Sequence, residues 1–212
     1  MQWPTIDDLS AMAPLPPGYR RERLQRADIA RLIEAIKVWY PDISVGAASC
    51  YLREDFYTGK VCLDSDTDKD VLLLVVKFGD ELAGFASWER EQEALSIYAR
   101  FGAIAPTHRG AKLAVNGMLM GEQMARSMGA GFIYGLATLK VPHMQQALER
   151  AGYQLLGFAP GYDREEVAPG VIKRVYEAFY AKVLVDDAEL LRPDPANLTP
   201  KARALFEMLF PA

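Results

Sequence analysis

The chain has 212 residues, half of them hydrophobic, and a formal net charge of −4, enough apolar material for one sizeable core. Mild acidity excludes a global basic field of the kind that recruits nucleic acid. Two cysteines, Cys50 and Cys62, outside any Cys-x-x-Cys pattern, exclude a disulfide framework.

Met1 to Ser10 carries acids and a proline in place of a basic start and an apolar run, so no secretory leader is read there. The longest apolar run, Val71 to Val76, is far shorter than a bilayer span. A cytoplasmic protein with no membrane partner is expected. Met1 to Gly18 contains Pro4, Pro14, Pro16 and Pro17 without steady periodicity and reads as an extended arm packed loosely on the body. Tyr19 to Leu24 reads as a first edge strand. After Arg26-Ala27-Asp28, the positions Ile29, Leu32, Ile33, Ile36 and Trp39 recur at helical steps until Pro41 stops them. Ile43 to Phe56 reads as a second short helix.

The acidic run from Asp64 to Asp70 lacks the glycine turn and closing glutamate of a calcium loop, so it reads as a solvated connection with no metal. Asp70 to Phe78 and Glu81 to Arg90 are apolar strands joined by Gly79-Asp80, a hairpin signal. In the next strand Leu95, Ile97 and Ala99 alternate with Ser96, Tyr98 and Arg100. The alternation breaks at Gly102, which suggests a bulge or a close approach to the backbone. Ala103, Ile104 and Ala105 lead to Pro106, which ends the strand because it has no N–H to donate. A loop of small residues, Arg109-Gly110-Ala111-Lys112, then opens a long apolar helix with Gly117 and Gly121 inside it. Such a loop exposes backbone N–H groups and the positive end of a helix dipole, and Arg109 and Lys112 add full charges, so it is suited to phosphate.

Gly131 to Ala137 is a short strand. Pro142 starts a helix whose Met144, Ala147, Leu148 and Ala151 form an apolar stripe, and Gly152 stops it. Tyr153 to Phe158 and Val171 to Leu184 read as the last strands, with Gly161 to Glu166 between them as a polar loop. Three further prolines lie from Arg192 to Pro200, where a final helix begins, capped by Thr199 and apolar along Ala202, Leu205, Phe206 and Leu209. That face covers either its own domain or a second copy, so a homodimer is an open expectation.

The segment from Arg109 to Ala114 resembles motif A of the GCN5-related N-acetyltransferases, Gln/Arg-x-x-Gly-x-Gly/Ala, with Arg109 at the first position, Ala114 at the last, and Lys112 in place of the central glycine. Ala151-Gly152-Tyr153 followed by Gly157-Phe158 resembles the end of that family's motif B. The resemblance implies an α/β (α+β) fold with a mixed, mostly antiparallel sheet of about six to seven strands. Helices lie on both faces in that fold, with a C-terminal helix in addition. On this reading the chain divides into an arm (1–18), an acetyltransferase-like domain (19–185), and a linker with the final helix (186–212).

What the resemblance implies for function is an acetyl-CoA-dependent N-acyltransferase acting on a small-molecule or amino-acid-like amine. Gly102, Ala103 and Ile104 would hold pantetheine and the thioester carbonyl, and Arg109, Gly110, Ala111, Lys112, Leu113 and Ala114 the diphosphate. Lys112 can bind through its N–H if its φ is negative. Strand Gly131 to Ala137 would run parallel to its predecessor and splay from it, leaving a slot for pantetheine. Trp39, Tyr40, Tyr51, Phe56 and Tyr57 are candidates for an aromatic acceptor pocket. The family's usual glutamate base and tyrosine acid fall on Tyr98 and Leu148. Tyr98 and His143 are therefore the candidate catalytic residues, with Glu89 or Glu91 acting through water, while His108 is expected to contact cofactor or solvent. Missing catalytic groups leave open a non-catalytic CoA or acyl-CoA sensor, and the small residues along the slot leave open a longer-chain acyltransferase.

Overall fold

The computed structural model describes residues 1–63, 66 and 69–211; most of the acidic run expected to be a solvated loop (Asp64, Ser65, Thr67 and Asp68) lies outside them. The elements run α1 (Ile6–Met12), β1 (Tyr19–Arg23), α2 (Ile29–Trp39), α3 (Glu54–Lys60), β2 (Val61–Cys62), β3 (Val71–Phe78), β4 (Glu81–Glu91), β5 (Ser96–Ile104), α4 (Leu113–Ser127), β6 (Phe132–Thr138), α5 (His143–Arg150), β7 (Gln154–Ala168), β8 (Val171–Val183) and α6 (Pro200–Leu209). One eight-stranded sheet has the order β1-β3-β4-β5-β6-β8-β7, with two-residue β2 beside β3. The β2–β3 and β5–β6 pairs are parallel and the others antiparallel. The strand total exceeds the expected range only through β2.

Each face of the sheet carries its own core. On one, Leu72, Leu74, Trp88, Ile97 and Ile133 meet Leu9 of α1, Met120 and Met124 of α4, and Leu148 of α5. On the other, Leu73, Val75, Phe85 and Ala103 meet Leu32 and Ile36 of α2, Tyr51, and Tyr57 of α3. The alternation of β3 and β4 supplies both sets, as period-two strands buried on two faces must. No helix among the described residues is long and apolar enough to cross a membrane.

Three elements differ from the sequence reading. The proline-rich arm holds a seven-residue helix, α1, started by a Thr5–Asp8 capping box. It is firmly seated: Leu9 is fully buried, and the Arg21 guanidinium donates to the Leu9 and Ala13 carbonyls and to Asn116. Ile43 to Phe56 is not one helix but two 3-10 turns, Pro41–Ser44 and Ala47–Leu52, followed by α3. The polar stretch Gly161 to Glu166 is not a loop: it belongs to β7, a 15-residue edge strand interrupted by three register shifts. Those irregularities and the edge position accommodate Gly157, Pro160 and Gly161, residues that punctuate a sequence as turns do. The final helix is present with its Thr199 cap, but none of its residues is buried.

Candidate active site

Strands β5 and β6 pair only from Ser96 to Ala99 against Phe132 to Gly135. Beyond Ala99, β5 stays on β4 while β6 stays on β8, and a cleft opens between them. The cause is local. Trp88 pairs with Ala99 and Ser87 with Phe101, so Arg100 is an extra residue, and a bulge increases twist and bends its strand. The bulge therefore sits two positions before Gly102. Gly102 serves the other expected purpose, close approach, since a Cβ there would lie 3.1 Å from the Phe85 carbonyl oxygen.

The Ala105 N–H donates to Ala83 O at 2.9 Å, and antiparallel alternation then turns the Ala103 amide toward β4 as well. Of the three proposed pantetheine contacts, Gly102 and Ile104 present their main chain to the open cleft, whereas Ala103 is engaged in the ladder. At the end of the strand, Pro106–His108 forms a 3-10 turn, with His108 N–H bonded to Ala105 O and Ala111 N–H to His108 O. The amides of Gly110, Lys112, Leu113, Ala114 and Val115 have no protein acceptor among the described residues, and the first turn of α4 carries no acid. Five free donors at the positive end of a 15-residue helix make an anion cradle.

Lys112 does not take the negative φ on which its amide was expected to depend. It is left-handed, at φ 60° and ψ 17°, and Gly110 has φ 95°. The lysine keeps the backbone that a glycine would adopt there, at a strain of about 1 kcal/mol. The Arg109 guanidinium stands 5.7 Å from the Tyr40 ring centre, and Tyr40 meets Phe101 edge-on, so the cation lies over the α2 side of the cleft. Leu113 is buried and anchors the helix start. His108 turns away from the cradle: Nδ1 lies 3.0 Å from the Tyr19 hydroxyl, and the ring packs against Phe78. Of the two helix glycines, Gly121 lets α4 lie on the sheet, since a Cβ there would come within 2.6 Å of Trp88 Nε1; Gly117 faces open space.

The floor of the cleft on the α2 side is aromatic. Tyr98 stacks on Tyr134 at 4.9 Å and 12°, and Tyr134 contacts Phe179. Burial, with Tyr162 nearby, pushes the Tyr98 phenol well above its ordinary range, which keeps it protonated and unfit as a base. Glu91 accepts from Tyr134 and Ser96, and Glu89 pairs with Arg100, so both carboxylates considered as substitutes are occupied. His143 is exposed at the first turn of α5, a helix packed on the opposite face of the sheet from Tyr98. Leu148 is fully buried core. Tyr51 and Tyr57 are also core, with Tyr57 donating to the Tyr51 carbonyl at 2.7 Å and Tyr51 linked to Ser87 at 2.6 Å. Burial raises the Tyr51 phenol to about 12.

One residue of this face went unnoticed in the sequence. Glu177, on β8 opposite Thr138 of β6, is 7% exposed, and burial together with Asp163 and Glu165 pushes its carboxyl up to about 7. The available signal was an acid set between the apolar Val175 and Phe179 on one face of the strand, the single acid in β8. Beside the same end of β6 lies an open cavity of about 390 Å³, lined in part by Thr138, Lys140, Glu165 and Val175.

A sheet parted between two parallel strands, with an anion cradle at the end of one of them, is the fold of the GCN5-related N-acetyltransferases, and this chain has it. Among solved structures it is similar to the spermidine/spermine N-acetyltransferase SpeG of Vibrio cholerae, with TM-score 0.63 at 13% identity over 80% of this chain and 95% of that one. It is also similar to the ribosomal-protein-S5-alanine acetyltransferase of Vibrio fischeri, with TM-score 0.62 at 9% identity over 82% and 97%. A third is YncA of Salmonella typhimurium, a suggested acetyltransferase solved with acetyl-CoA, with TM-score 0.57 at 15% identity over 84% and 98%. No protein-family model and no curated protein sequence matches the chain.

Proposed function

We propose that the protein is an acetyl-CoA-dependent N-acyltransferase that moves an acetyl group to the amine of a small-molecule or amino-acid-like acceptor in the cytoplasm, with two copies pairing through the exposed face of α6. The observation that carries the reading is the continuity of the β5–β6 cleft with the bare amides at the start of α4. The residues fit the group. Gly110, Lys112, Leu113, Ala114 and Val115 would receive a diphosphate through N–H donors, Arg109 would add its charge, and the free edge of β5 at Gly102 and Ile104 would pair with an extended amide-bearing arm. When bound, the thioester supplies the activated acetyl group.

Names of the similar structures support the class of reaction and divide on the acceptor, since one is a spermidine/spermine enzyme and another acts on a ribosomal protein. Isothermal titration tests the reading. Wild type is expected to bind CoA and acetyl-CoA, and Arg109→Glu to lose about tenfold or more in affinity, because it reverses a charge at a phosphate site. Absence of binding by wild type at millimolar concentration would falsify the reading. A second reading, a CoA-sensing domain without turnover, draws on Tyr98 and Leu148 standing at the usual base and acid positions. Turnover of any amine, abolished by Arg109→Glu, removes it. Comparing octanoyl-CoA with acetyl-CoA affinities settles the acyl length.

A further inference from the structure

Glu177 is a largely buried residue whose carboxylate has no partner among the described residues, although its oxygens are not among the fully enclosed polar atoms. It is 7% exposed, and no hydrogen bond or ion pair to a described residue compensates it. Burying an ionisable group unpaired is costly, and proteins retain such groups where a ligand completes them. Its place is specific. On β8 it lies opposite Thr138, the last residue of the strand that forms one bank of the cleft, and it shares a face with Phe179, which touches the Tyr134–Tyr98 stack.

The charged groups around this end of the sheet are Asp163, Arg164, Glu165 and Glu166 on β7, Lys173 and Arg174 on β8, Lys140 between β6 and α5, and Asp42 in the turn after α2; Arg174 donates to the Gly161 carbonyl at 2.8 Å. Lys140 is held by Asp42 at 2.6 Å and lies 3.8 Å from Glu165, and Asp163 accepts from the Ala47 amide at 2.8 Å. Among the described residues no cation pairs with Glu177, and the charges that act on it are the carboxylates of Asp163 and Glu165. A carboxylate with apolar neighbours on the sheet and two acids beside it suits an ammonium ion.

We propose, resting on the acyltransferase reading, that Glu177 docks the acceptor as its ammonium ion and is the proton acceptor of the transfer. An ammonium N–H bond breaks and its proton passes to the Glu177 carboxylate. The freed nitrogen lone pair forms the N–C bond to the carbonyl carbon of the acyl thioester. The C–S bond breaks with its electron pair on sulfur, the remaining excess proton on nitrogen passes to that sulfur to give the thiol, and Glu177 releases its proton to solvent. A carboxyl that titrates near neutrality suits the task.

The test pairs Glu177→Gln with Glu165→Gln. CoA affinity of Glu177→Gln, by isothermal titration, should stay within about twofold of wild type. Its kcat on any amine that wild type turns over should fall about a hundredfold or more, the usual weight of a general base, and the acid limb of its pH profile near neutrality should vanish. Glu165→Gln, which removes a neighbouring negative charge, should move that limb to lower pH. Without any turnover, a carbon-13 titration of glutamate carboxyls decides: one carboxyl absent from Glu177→Gln should titrate close to about 7, and spermidine or propylamine should lower that value. Folding is checked by melting. The folded value lies above the unfolded one, so the native state loses stability as pH rises from about 4.3 toward neutrality. Glu177→Gln should therefore melt with wild type in acid and above it in base. An unchanged rate and limb in Glu177→Gln, or a carboxyl that titrates in the ordinary range, overturns this proposal alone. Failure of wild type to bind CoA overturns it together with the acyltransferase reading.

Discussion

On one side of the cleft, β3, β4 and β5 are covered by helices on both faces, and Leu72, Leu73 and Phe85 are no more than 1% exposed. On the other, β7 and β8 run past the end of β6 as a two-stranded arm on which Ile172 and Tyr176 are both more than half exposed. The first half meets one demand, to hold an anion cradle and a free strand edge in fixed relation. That geometry requires a rigid support, and two cores supply it. On the acyltransferase reading proposed above, the arm carries instead the groups that would meet an acceptor, Asp163, Glu165 and Glu177, and covering it as fully as β4 would close that side.

A pair of truncations tests the contrast most strongly. Leu72→Ala, in the doubly covered half, should cost about 3 kcal/mol through lost burial and the cavity left behind. Ile172→Ala, on the arm, should cost no more than about 0.5 kcal/mol. Urea denaturation of both variants measures the difference. Equal losses would mean that the arm is buried in the working protein, by a second copy or by another partner, and the comparison would then hold only for the isolated chain.

The second test compares two glycines one turn apart on α4. Gly121→Ala drives a methyl to within 2.6 Å of Trp88 Nε1 and should cost about 1–3 kcal/mol through overpacking. Gly117→Ala meets open space and should stabilise by up to about 1 kcal/mol through helix propensity. Opposite signs in thermal melts would establish that α4 is held by its contact with β4 rather than by its own helical preference.

The doubly covered half was legible in the sequence because its signals are local. The apolar alternation of Val71 to Arg90, the Gly79-Asp80 turn, Pro106 at the end of β5 and the small-residue loop before α4 each act within a few residues, and each stands where it was read. The splay of β6 was legible only through the family resemblance. Its cause, the bulge at Arg100, depends on the register of β5 against β4, which no single strand encodes. The arm misled for a different reason. Gly157, Pro160, Gly161 and a cluster of acids spell a loop, and only the edge position of β7 allows them in a strand. The candidate site divides in the same way. Arg109 to Ala114 were proposed from the motif and Gly102 to Ile104 from the break in the strand's alternation, whereas Glu177 comes into view only when β8 is laid against Thr138. The helix α1 was hidden by prolines that flank it without entering it.

Lys112 gives the smallest effect and the sharpest question about the junction. Its left-handed backbone occupies the motif's glycine position, and its side chain is exposed beside the free amides. Lys112→Gly removes a strain of about 1 kcal/mol but adds chain entropy to the unfolded state, so a net gain of only a few tenths of a kcal/mol is expected in melting experiments. The same variant removes one exposed cation, which contributes little through solvent, so CoA affinity should fall by about threefold or less while Arg109→Glu loses far more. If Lys112→Gly instead weakened CoA as severely, the grip would lie in side-chain charge. The rigid half of the sheet would then be positioning a pair of cations rather than a row of amides.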